Sequence, residues 1–167
     1  MANLKDMLVA IKTTLQARTW TGSSNKVFGS SSVVITRGAI KDALRTMVAP
    51  GALIMPGNIR CDPEFGEEPD LWMVDVVVRV YTVAPGEAIG ENPLIGANRG
   101  DVTKSEGAGL LEILEEVQQA LGQLNVQDGS NYVIQFRQRG GAGGVHVDER
   151  VMWMFQDLEF EAICKAY

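Results

Sequence analysis

Histidine-assisted nucleophilic chemistry in this chain would have to run through His146, the single histidine of the sequence. A Ser–His–Asp or Cys–His arrangement needs an imidazole to accept the nucleophile's proton, so any such site must be built around it. His146 stands in Gly-Val-His-Val-Asp-Glu-Arg (residues 144–150), just after a glycine run, where an exposed loop position is the expected setting. Two acidic sets offer paired carboxylates for general acid and base work: Asp148 with Glu149, and Asp157 with Glu159 and Glu161. The second set alternates along one face of a strand, the pattern of a solvated or intersubunit face. Neither set is read as catalytic. The two cysteines, Cys61 and Cys164, lie far apart in the chain. With one histidine they form neither a closed zinc site nor a disulfide framework, and two free thiols in a reducing cytoplasm are expected.

The glycine run Gly140–Gly144 invites comparison with a phosphate loop. It follows a strand-like segment, but the chain then enters another strand, so no helix N-terminus is at hand to hold an anion. The run reads as a flexible tip. Arg99-Gly100-Asp101 imitates an adhesion motif, and three residues in a glycine-rich loop are read as a chance match. Trp20 and the serines Ser30–Ser32 suit a recognition surface or a core anchor and linker equally. No cofactor or metal site is expected.

The elements that would position these residues fit one domain, residues 1–167. Hydrophobic residues at 46% and charged residues at 22% describe a folded chain with one core. The net charge of −6 and the lack of a basic stripe exclude tight duplex binding. An acidic wall still suits a conduit past which DNA slides. Lys5, Asp6, Lys12 and Gln16 interrupt the N-terminal apolar positions, so neither a secretory signal nor a membrane span is expected.

Leu4, Met7, Leu8, Ile11 and Leu15 recur at helical spacing, with Asn3 as a cap. A shorter helix is expected over Ala39–Met47, then a strand Ala52–Met55 stopped by Pro56 and Gly57. An acidic loop continues to Asp70. Leu71–Val83 is the strongest strand signal, with Trp72, Val74, Val76, Val78 and Val80 on one face. At about 3.3 Å per residue it spans about 40 Å, long enough to pair with a neighbouring subunit. Its other face carries Asp75, Arg79 and Tyr81. The two charges lie about 13 Å apart along the strand, too far to bond each other, so each needs another partner. A neighbouring subunit is the expected source, and Asp75, Arg79 and Tyr81 are the candidate interface residues.

After a long loop, Ala84–Glu106, a second amphipathic helix is expected over Gly109–Leu124. Its stripe is Leu110, Ile113, Leu114, Val117, Leu121 and Leu124, with Glu112, Glu115, Glu116, Gln118 and Gln119 on the wet side. A turn at Asp128-Gly129, a strand Tyr132–Arg139 and a returning strand Val151–Ile163 complete the pattern. The fold class is α+β: a mostly antiparallel sheet packed on one side by two main helices, with a C-terminal β-hairpin.

This order resembles the tail-terminator (tail-completion) proteins of long-tailed phages. The resemblance is carried by the leading helix, Ala52–Gly57 (ALIMPG), Asp70–Thr82 (DLWMVDVVVRVYT), Gly109–Leu124 (GLLEILEEVQQALGQL) and the closing hairpin. It implies a virion protein without catalytic residues or cofactor, forming a homohexameric ring at the head-proximal end of the tail. Its implied partners are further copies of itself, the tail tube protein and a neck or stopper protein, with DNA passing through the lumen unbound and no membrane involved. Assembly would occur in the host cytoplasm. The loops that would dock these partners carry Pro93, Arg99 and Asp101 in the first case, and Gly141, Gly143 and His146 in the second. The competing readings are another neck component such as a stopper or head-closure protein, a small cytoplasmic enzyme using His146 or the acids, and a stand-alone binding module.

Overall fold

The computed structural model describes residues 4–38, 40–61, 71–84, 109–122, 124, 137–148 and 151–165. In chain order these form α1 (Leu4–Ala17), β1 (Val33–Ile35), α2 (Ile40–Thr46), β2 (Gly51–Cys61) and β3 (Leu71–Ala84). They continue as α3 (Leu110–Gly122), β4 (Arg137–Gly140), β5 (Gly143–Asp148) and β6 (Val151–Lys165). The architecture is α+β, as the sequence pattern predicts. Six strands make one sheet in the order β1-β2-β3-β6-β4, with β5 also pairing β6. Only β1 runs parallel to its neighbour. Among the described residues no helix is long and apolar enough to cross a membrane.

Periodicity of two in β3 and 3.6 in the helices builds the main core. Val74, Val76, Val78 and Val80 are fully buried on one face of β3. They meet Met7, Ile11 and Leu15 of α1 and Ile113, Val117 and Leu121 of α3 in one apolar cluster. Cross-strand partners extend that face: Ala52 and Ile54 oppose Val80 and Val78, while Leu158 and Phe160 oppose Val78 and Val76. Each such aliphatic side chain contributes about 1.5–3 kcal/mol on leaving water. Gly109 N–H donates to the Glu112 carboxylate at 2.9 Å, closing the first turn of α3. Trp20 is 2% exposed and belongs to this core, which decides its role as an anchor.

The other face of the sheet has a second, smaller cluster. Leu44 and Met47 at the end of α2 pack with Leu53, Tyr81 and Trp153. Thus α1 and α3 cover one face, and the short α2 covers part of the other.

Three expectations need correction. Strand β2 does not stop at Pro56 and Gly57 but continues to Cys61, with a register shift between Pro56 and Ile59. Strand β1 pairs only Ala52–Ile54, and among the described residues nothing pairs the outer side of β2 beyond that point. A proline, which lacks an N–H, is tolerated at such an edge. The glycine run is not a hairpin tip. Gly140 ends β4, Gly143 and Gly144 begin β5, and Asp148 pairs with Val151, which places the reversal after Asp148. The run is instead the seam where one edge strand breaks and resumes along β6: the Asp157 amide donates to the Ala142 carbonyl at 2.7 Å. A Cβ on Gly141 would overlap the Asp157 carbonyl, so the seam requires a bare backbone. Finally, Glu116 is not on the wet side of α3 but 6% exposed.

Asn3, the loop acids 62–70, the loop after Ala84 with Pro93, Arg99 and Asp101, the Asp128-Gly129 turn and residues 132–136 lie outside the described residues.

Candidate functional site

The features that position charged side chains together are the registers of β2, β3 and β6. Arg79 stands opposite Asp157, Asp75 opposite Glu161, and Val77 opposite Glu159. Arg60 of β2 is one position from the Ile59–Val74 pair and therefore falls on the same face as Asp75. The result is a ladder of charges across the middle of the second sheet face.

Its rungs are closed within the chain. Arg79 grips Asp157 through two parallel hydrogen bonds, Nε to Oδ1 at 2.5 Å and a terminal nitrogen to Oδ2 at 2.7 Å. The Arg79 guanidinium also lies 4.1 Å from the centre of the Phe155 ring. Arg60 donates to Glu161 at 2.6 Å and to Asp75 at 3.1 Å. Both arginines are held more firmly charged than usual. The Asp157 hydrogen bond is the main cause for Arg79, and the Glu161 hydrogen bond, then the Asp75 charge, for Arg60. Asp157 and Glu161 are each 5% exposed, so two nearly buried carboxylates are neutralised by arginines on adjacent strands.

Asp75 and Arg79, expected to take their partners from a neighbouring subunit, therefore do not need one. Arg60 and Asp157 of the same chain supply them. Tyr81 is also not an exposed interface residue. It is fully buried, with its ring edge-on to Trp153 at 6.0 Å and tilted against Phe155 at 5.7 Å. Burial pushes the Tyr81 phenol up, and the nearby Arg79 charge pulls it partly back. Nor are the three acids of β6 a solvated row: Glu159 is exposed, whereas Asp157 and Glu161 on either side of it are paired. Beside Glu159, residues Gly57, Asn58, Asp75 and Val77 line a shallow depression of about 340 Å³.

A further ion pair lies on the helical side and left no signal in the sequence beyond a glutamate at a helical position. Arg18, just after α1, holds Glu116 of α3 through Nε at 2.8 Å and a terminal nitrogen at 2.5 Å. The Thr21 amide donates to the other carboxylate oxygen at 2.8 Å, and Gln119 also accepts from Arg18 at 2.8 Å. Burial alone would raise the Glu116 carboxyl, but the Thr21 and Arg18 hydrogen bonds outweigh it and hold it below the usual range. This group clamps the linker after α1 to α3.

The other sequence-derived candidates are dispersed. His146 and Gly143 are strand positions on β5, opposite Trp153 and Gln156, not loop residues; Gly141 sits at the seam. Cys61 and Cys164 flank Trp72 on opposite sides of β3, two strand spacings or about 10 Å apart, beyond the reach of a disulfide. Among the described residues no cluster of three or more histidines, cysteines or acids is arranged to hold a metal. The carboxylates that are brought together bond to guanidinium groups, an arrangement suited to fixing strands.

No model of a known protein family matches the chain. A search of curated proteins likewise finds no match.

Proposed function

We propose that this chain is a non-enzymatic structural protein of the tail-terminator kind. In this reading it forms a ring, hexameric if the family resemblance extends to stoichiometry, that caps the head-proximal end of a phage tail tube. It ends tail growth there and offers the surface to which the head is joined. Its partners are further copies of itself, the tube protein and a neck protein; DNA passes the lumen without specific binding. Its place is the virion, after assembly in the host cytoplasm.

The observation that supports this most is the asymmetry of the sheet. One face is sealed by α1 and α3, while beyond α2 the other presents half-buried Met73, Val77 and Arg79 beside exposed Glu159. Because Arg60, Arg79, Asp75, Asp157 and Glu161 are already matched within the chain, a protein that covers the strip has only the Glu159 carboxylate left to meet. The α+β order of elements and the acidic balance agree with the same reading.

The test is polymerisation of purified tail tube protein with and without this chain. The expected outcome is shorter tubes carrying extra density at one end only. Unchanged tube lengths with bare ends would contradict it.

A further inference from the structure

The described structure leaves an apolar groove between the start of α1 and the edge of the sheet, about 590 Å³ in volume. Its walls are Leu4, Leu8, Val9, Ile35, Pro56 and Ile59. Val9 is 48% and Ile59 36% exposed, an unusual outlay of large aliphatic surface beside a packed helix. Among the described residues the charged side chains on the rim, Lys5 and Arg37, are both basic. Neither takes part in an ion pair with another described residue.

The complementary chemistry is densest in one segment of this sequence. Residues 62–70, Asp-Pro-Glu-Phe-Gly-Glu-Glu-Pro-Asp, carry five acids, no base and a single large apolar side chain, Phe65. We propose that this segment of one copy docks in the α1–β2 groove of the next, with Phe65 among the aliphatic residues and the flanking acids against Lys5 and Arg37. The inference rests on the ring reading above and deepens it, because it names the contact between neighbours. Segment and groove are different surfaces, so the contact is head-to-tail and closes into a ring when the rotation allows. Cys61 pairs with Trp72, so both ends of the segment leave the sheet at one place.

The experiment places the photoreactive residue p-benzoylphenylalanine at position 65 and mixes that chain with ¹⁵N-labelled unmodified chain under assembly conditions. Crosslinks from position 65 to the heavy-isotope peptide holding Leu4–Val9 are expected. A light-isotope crosslink within one chain, or rings without any crosslink to that peptide, overturns the inference and leaves the ring reading standing. A protein that stays monomeric and leaves tubes uncapped removes both. In parallel, Lys5→Glu with Arg37→Glu changes only exposed side chains and should weaken self-association roughly tenfold, the loss of two rim ion pairs. Mixing this variant with a Glu67→Lys, Glu68→Lys chain should restore assembly, and failure to do so with both chains folded counts against the docking.

Discussion

At the scale of single residues, three arginines, Arg18, Arg60 and Arg79, join segments that are distant in sequence. Arg79 and Asp157 are register partners on β3 and β6, and their side chains are only 21% and 7% exposed. Removing one partner of so enclosed a pair leaves a charge without compensation. Arg79→Met should therefore cost about 3–5 kcal/mol in chemical denaturation, while Arg79→Met with Asp157→Leu should recover most of it. A single-variant loss under about 1 kcal/mol would mean that water screens the pair. Glu116 gives a pH signature. Its folded pKa lies below its unfolded one, so the unfolded chain binds more protons through that interval and stability rises with pH there. The contribution is complete above the ordinary glutamate value, about 4.3, and disappears as pH falls through the lower folded value. Glu116→Gln should be less stable than the parent at pH 7 by about 1–3 kcal/mol and should show a flatter decline below pH 4.3. Parallel pH profiles for the two proteins would show that Arg18 and Thr21 do not hold the carboxylate.

At the scale of elements, amphipathic spacing located α1 and α3 to within a few residues, and strict alternation gave the buried valines of β3. These signals are local, so a sequence carries them directly. What escaped is long-range. The partners of Asp75 and Arg79 come from β2 and β6, and no local pattern reports a register between strands so far apart. Proline and glycine misled for a related reason: their effect depends on whether a neighbouring strand is present. Pro56 ends a strand in a central position but not on an unpaired edge, and Gly141 serves a close approach to β6, not a turn. That seam makes a prediction. Gly141→Ala should destabilise the fold by on the order of 2 kcal/mol, because the Asp157 carbonyl must give way. Gly122→Ala, at the end of α3 with open space around it, should be neutral or gain up to about 1 kcal/mol. Equal melting temperatures for the Gly141 variant and the parent would mean that the seam is loose enough to absorb a methyl group.

At the scale of the whole molecule, the two sheet faces divide the labour. The face under α1 and α3 supplies the folding core, and the partly covered face, whose charges apart from Glu159 are matched internally, is the one that the proposed ring would use for association. Core and association surface can then be altered separately. Ile113→Ala, fully buried under α3, should cost about 2–5 kcal/mol in stability. Glu159→Arg, exposed on the open face, should leave stability within about 0.5 kcal/mol while weakening self-association in sedimentation. Unchanged association in that variant would place the contact elsewhere on the surface. The central claim is that copies of this chain build a ring on the end of a tail tube, and negative-stain imaging of the purified protein, alone and mixed with tubes, tests it most directly. Closed rings of uniform diameter, free or seated at one tube end, are the predicted result. Isolated single copies at every concentration, together with tubes left bare at both ends, would contradict it.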